Sequence, residues 1–103
     1  SGISEEAELA MAYPLEPGQK VMVDLRGGKL VPGFGQISIS RKADGDRFVT
    51  FDRGGGHLGN QGYVYAPYAE DDEQVHQDAF GGWESREVGH LIGGWWYYDS
   101  TED

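Results

Sequence analysis

The residues best equipped for chemistry in this chain are the carboxylates and the histidine between positions 70 and 76. Glu70, Asp71, Asp72 and Glu73 follow one another, and His76 comes three residues after Glu73 and four after Asp72. On a helix those offsets put carboxylate and imidazole on one face. That is half of a carboxylate–histidine metal site, to which His57 or His90 could add a nitrogen ligand. A dinuclear site repeats the motif on a second long helix, and calcium asks for a loop of alternating acids closed by a distal glutamate. Neither pattern occurs in the sequence. The expectation is a solvated acidic face, with no metal and no cofactor.

Nucleophilic chemistry has less to work with. No serine sits in a Gly-x-Ser-x-Gly elbow, so any Ser, His and Asp grouped from this sequence would be arbitrary. The 18 acids would allow a carboxylate pair for glycoside chemistry almost anywhere, so their number selects no site. Two glycine-rich stretches, Arg26 to Gly35 and Arg53 to Gly62, invite comparison with phosphate-binding loops. The second lacks the Gly-Lys-Ser/Thr ending of a P-loop, and strand-like rather than helical residues follow it. Both read as connections.

The aromatic side chains carry the remaining signal. Trp83, Trp95, Trp96, Tyr97 and Tyr98, together with Tyr63, Tyr65 and Tyr68, are more than one small core hides comfortably. Tryptophan and tyrosine join a broad apolar face to a polar tip, which suits both interfaces and ligand platforms. The candidate binding residues are therefore Trp83, Trp95, Trp96, Tyr97, Tyr98, Tyr63 and Tyr65. Sugar-binding modules use exposed rings flanked by Asp, Asn and Gln in this way, a likeness of chemistry alone.

Charge limits the partners. The chain of 103 residues has a formal net charge of −10 and only three lysines, Lys20, Lys29 and Lys42. Phosphate backbones need clustered Lys and Arg, so direct nucleic-acid binding is not expected. A basic partner or plain solubility fits the charge, as does an acidic inhibitor that imitates nucleic acid. Cysteine is absent, which removes disulfides, thiolate zinc sites and cysteine nucleophiles. No apolar run approaches the ~20 residues that span a bilayer, and the first residues carry neither a basic flank nor an apolar stretch. A cytoplasmic protein without a membrane partner is the expectation.

These residues must be placed by short elements of one domain, 1–103. Ser4 followed by Glu5, Glu6 and Glu8 reads as a helix start, running to about Met11 if Leu9 and Met11 pack on something; otherwise residues 1–12 are a frayed acidic leader. Pro14 ends it. Lys20 to Leu25 alternates, with Val21, Val23 and Leu25 inward. Gln36 to Ser40 alternates about Ile37 and Ile39, and Asp44-Gly45 turns the chain into Arg47 to Asp52, a hairpin. Tyr63 to Ala66 predicts a short strand ended by Pro67. The acidic segment from Glu70 to Phe80 has Val75 and Ala79 at helical spacing, which allows either two helical turns broken by Gly81-Gly82 or a charged loop. Last comes the densest apolar run, Val88 to Tyr98, predicted as a strand from at least Leu91. On it Leu91, Trp95 and Tyr97 share one face while Ile92, Trp96 and Tyr98 share the other. Gly93 and Gly94 mark a bulge or a close backbone approach.

Five or six short strands with no repeat period predict an all-β or β-dominated α+β domain. The form expected is a small barrel or rolled antiparallel sheet with one or two short helices. The Pro17-Gly18 turn and the strand it feeds resemble the opening of SH3-like small barrels, a fold-level pattern that unrelated proteins share. For function the sequence favours a non-enzymatic binding module using an aromatic sheet face, with a protein partner or a second copy of itself. In that reading acids 70–73 rim the face, and the last strand offers an edge for a homodimer. A small-ligand barrel or small enzyme with an aromatic pocket is the alternative.

Overall fold

A computed structural model describes residues 3–24, 36–53, 61–82 and 86–100. The elements in chain order are α1 (Ile3–Met11), β1 (Lys20–Asp24), β2 (Gln36–Arg41), β3 (Arg47–Asp52), β4 (Gln61–Tyr65), α2 (Asp72–Phe80), β5 (Arg86–His90) and β6 (Trp95–Ser100). The strands form one antiparallel sheet in the order β1-β2-β3-β4-β6-β5. The chain is thus β-dominated with two short helices. Among the described residues the sheet does not close into a barrel. Its core is completed by a helix on each face instead.

Every cross-strand pair joins two odd or two even positions, for instance Ile39 with Val49, Val49 with Tyr65, and Tyr65 with Trp95. One face of the sheet therefore carries the odd-numbered strand residues and the other the even-numbered ones. On the odd face Ile37, Ile39, Val49 and Phe51 form a buried cluster with Ala7 and Ala10 of α1. On the even face Phe48, Val64, Trp96 and Tyr98 do the same with Val75 of α2 and with Ala66. The two covers are offset, α1 over the β3 side of the sheet and α2 over the β5 side.

Helix α1 buries the stripe Ile3, Ala7, Ala10 and Met11, the i, i+4, i+7 spacing of a helical face. Leu9, expected to pack, points away and is 66% exposed. The link after α1 is tied to the β2–β3 hairpin, because the Arg41 guanidinium donates to the Leu15 carbonyl at 2.7 Å and Arg47 donates to the Tyr13 carbonyl. Gly45, at φ 99°, takes the turn position that the Asp-Gly pair predicted.

Strands β4 and β5 both run antiparallel to β6 and so parallel to each other. The chain between them must cross the sheet, which no tight turn can do. Helix α2 makes that crossing. Asp71 caps it, accepting the Gln74 N–H at 2.8 Å, and Gly81 at φ 66° closes its last turn. Lys42, just past β2, fixes the helix from the other side. Its ammonium lies 3.0 Å from the Asp78 carboxylate and 4.6 Å from the centre of the Tyr68 ring. The Tyr68 hydroxyl donates to the same carboxylate at 2.7 Å. No helix among the described residues is long and apolar enough to cross a membrane.

The final apolar run is the main correction. The chain from Arg86 to Ser100 is two strands and a turn, with Leu91 to Gly94 reversing the direction. Trp95 N–H donates to the Ile92 carbonyl and Leu91 N–H to the Trp95 carbonyl, at 2.9 and 3.0 Å, while Gly93 takes φ 55°. Leu91 and Ile92 stand exposed at the tip, 49% and 75%. Apolar side chains made this turn look like strand. The expected close approach at Gly94 is present: a Cβ there would lie 2.8 Å from the Pro67 Cα. Nor is β6 an edge, since β4 and β5 occupy both its sides. The long glycine loops at 26–35 and 54–60 fall outside the described residues.

Two expectations follow. A Cβ on Gly62 would run into the Phe51 carbonyl oxygen and sit 2.7 Å from the Tyr98 hydroxyl, so Gly62→Ala should lower stability in urea by ~2–3 kcal/mol. Burial and then its bond to Asp78 raise the Tyr68 pKa above the usual 10.0. The Asp78 hydrogen bond likewise raises Lys42 above 10.5. Groups held above their unfolded values add stability that is complete below about pH 10 and is lost as pH climbs further. Urea midpoints measured from pH 9 to pH 11.5 should therefore fall, and fall less steeply in Tyr68→Phe.

Candidate functional site

Among the described residues two helices cannot cover both faces of six strands, so two quadrants of the sheet stay without a described helix. On the even face of β1 and β2 the side chains are Lys20, Met22, Ser38 and Ser40, small or polar apart from the exposed Met22, with Ser40 buried. On the odd face of β4, β6 and β5 they are Tyr63, Tyr65, Trp95 and Tyr97, beside Gly89. All four aromatics are half-buried. This second quadrant is the candidate site.

Its inner margin is anchored in the core. The Trp95 ring lies 5.7 Å from Phe51 and 4.8 Å from Tyr65, tilted against both, the offset arrangement that aromatic quadrupoles favour. The outer part is made by Tyr97, whose register partners are Tyr63 on β4 and Gly89 on β5. The Tyr97 ring lies across Gly89, where a Cβ would come within 2.6 Å of its hydroxyl and Cζ. A bare glycine thus lets the ring lie down on the neighbouring strand instead of standing off it. The result is a shallow groove of about 300 Å³ walled by Tyr63, Leu91 and Tyr97, with Gln61, Arg53 and Asp99 beside them and Gly62 and the edge of Tyr98 also lining it. Apolar ring faces next to an amide, a guanidinium and a carboxylate can bury an apolar group and hydrogen-bond a polar one beside it.

Of the seven aromatic residues singled out in the sequence, the structure brings four together here. Trp96 and Tyr98, at 2% exposure each, lie on the opposite face beneath α2 and form core. Tyr98 packs 4.8 Å from Phe80. Trp83 lies outside the described residues. Leu91, Gln61, Arg53 and Asp99 were missed as site residues. The odd-position alternation they share with Tyr63 and Tyr97 was the signal that could have found them.

The acidic segment does not rim this groove. Glu70 to Glu73 lie at the start of α2 and line a separate cleft of about 590 Å³ with Ala69, His90, Gly93 and Trp96, on the even face. Asp71 and Gln74 are engaged in capping the helix. The His90 ring sits 4.9 Å from Trp96, its Nε2 within 2.8 Å of the Gly93 carbonyl oxygen. The Trp96 indole N–H is buried without a hydrogen-bond partner among the described residues. His76 turns toward Phe80, at 6.4 Å. Among the described residues no three His, Asp or Glu side chains are grouped so as to hold a metal ion; His57 lies outside them.

No family model matches the chain, and no characterised protein or solved structure is significantly similar to it. The site therefore has to be judged on its own geometry.

That geometry separates the two tryptophans of β6. In a Trp83→Phe background, Trp96→Phe leaves emission from Trp95 alone and Trp95→Phe leaves emission from Trp96. Acrylamide should quench the first several-fold more strongly than the second, and the second should emit at shorter wavelength.

Proposed function

We propose that this chain is a non-enzymatic binding module, and that the odd face of β4, β6 and β5 is its binding surface. The single observation that carries the reading is the Tyr97 ring laid across Gly89 in a quadrant that neither helix covers. A fold that only needed core would put small or polar residues there, as it does with Lys20, Ser38 and Ser40 on the even face of β1 and β2. Here it keeps the facing pairs Tyr63–Tyr97 and Tyr65–Trp95, with Leu91 and Ile92 exposed at the adjoining hairpin tip. Aromatic side chains of this kind dominate the energetics of protein interfaces because they bury much area with few rotamers to freeze.

A protein segment is the favoured partner. It would set an apolar side chain against Tyr97 and Tyr63 and place polar atoms toward Gln61, Arg53 and Asp99. The groove is open and only about 300 Å³, the lower end of what small-molecule sites enclose, which makes a small ligand such as a sugar the second reading. The acids of 70–73 lie on the other face, so in this proposal they act through the overall negative field, favouring basic partners at a distance.

Screening the chain against a displayed random-peptide library and a glycan array, alongside the Tyr63→Ser/Tyr97→Ser double variant, tests this. Selected peptides should bind the wild type and lose about 30-fold or more in affinity on the double variant, the effect of removing central aromatic anchors. Glycans bound with the same dependence would favour the small-ligand reading. Binding that survives the double substitution would move the site elsewhere.

A further inference from the structure

Strand β1 is one of the two ends of the sheet, paired only with β2 among the described residues. Its sequence is Lys20-Val21-Met22-Val23-Asp24, and it is complementary to itself when read backwards. From this and from the hydrogen-bond phase of the edge we infer that β1 pairs antiparallel with β1 of a second copy about a two-fold axis at Met22.

The phase comes from the neighbouring bond. Arg41 N–H donates to the Gln19 carbonyl at 2.9 Å, and hydrogen-bonded and non-bonded pairs alternate along an antiparallel ladder. With Lys20 opposite Ser40 and Val21 opposite Ile39, the odd residues of β1 direct their backbone groups toward β2. The even residues, Lys20, Met22 and Asp24, direct theirs outward. A two-fold axis at Met22 matches these outward groups with one another. Met22 exchanges both bonds with its counterpart, and Lys20 does so with Asp24 of the second copy, twice by symmetry.

The residue types fit the same register. Each Lys20 stands opposite an Asp24, each Val21 opposite a Val23, and Met22, 56% exposed, meets its own copy. Opposite charges and matched apolar residues are the pairs that stabilise facing strands. The other end of the sheet lacks this match. Leu91 N–H donates to the Trp95 carbonyl, so the outward residues of β5 are Arg86, Val88 and His90. A two-fold axis at Val88 would set Arg86 opposite His90. An unpaired edge is otherwise a liability that proteins cover or charge. The joined sheet would be continuous across both molecules, with the two aromatic grooves at its far ends and still open.

Light scattering on the full chain, from ~10 µM to ~1 mM at about 0.15 M salt, should show the mass rise from 11.3 kDa toward twice that value. Lys20→Asp and Asp24→Lys, each placing like charges opposite, should weaken association about tenfold or more. The two combined should restore it to within about threefold of the wild type. Met22→Pro removes an outward N–H without touching the ladder to β2, and should leave a folded monomer by circular dichroism. A mass that stays at one chain throughout would overturn the proposal. So would a dimer indifferent to these changes, or a charge swap that fails to restore it.

Discussion

Everything in this fold depends on β6 lying between β4 and β5. A strand with neighbours on both sides and aromatic residues on both faces has apolar surface to bury on each, and tight turns alone cannot cover it. The crossing from β4 to β5 supplies the cover on one face as α2, carrying Val75 and Phe80 onto Trp96 and Tyr98. The opposite face receives α1 over the β2–β3 side, with Val21, Tyr65 and Trp95 packed at the margin of that core. Burying a large side chain contributes roughly 2–3 kcal/mol. The core under α2 therefore rests heavily on Trp96, Tyr98, Val64 and Phe48, and the aromatics on the other face of β6 are left half in water.

This division explains what the sequence could and could not disclose. Ile37 and Ile39 alternate with serines, and Asp44-Gly45 sits between two such runs. The β2–β3 hairpin was therefore legible from local pattern alone. Helix α2 was half legible: an acidic start, Val75 and Ala79 in step and a glycine pair at the end fit a helix, but so dense a run of charge fits a loop as well. The order of the strands was not legible. Whether β6 lies inside the sheet or at its rim is decided by pairing between residues more than thirty positions apart, such as Val64 and Trp96, and no short window carries that. The turn at Leu91 to Gly94 was hidden because Leu and Ile in a turn look like strand when composition alone is weighed.

The candidate site was half legible for a related reason. Aromatic content pointed to the right strands, yet Trp95-Trp96 and Tyr97-Tyr98 present the same residue types to both faces. Local pattern cannot say which member of each pair is core. The position of α2 decides it, and with it that the acids near its start lie in the cleft with Trp96 and away from Tyr97. Electrostatics and aromatic surface, adjacent in a linear reading, are on opposite sides of the sheet.

The same doubling has a consequence for how the sheet finds its alignment. In most half-buried strands a shift of one residue is punished because polar and apolar faces change places. Shifting β6 by one would keep aromatic side chains at three of its four aromatic positions, with Gly94 or Asp99 entering the fourth, so hydrophobicity opposes it less than usual. Shape adds to that opposition. Gly62 leaves room for Tyr98 on one face and Gly89 for Tyr97 on the other, and the two hollows sit on opposite flanks of β6. Only one alignment fills both. The glycines thus act as a two-point key for the most aromatic strand of the molecule. Filling either hollow would leave a chain that still collapses, with its central strand free to settle in more than one frame.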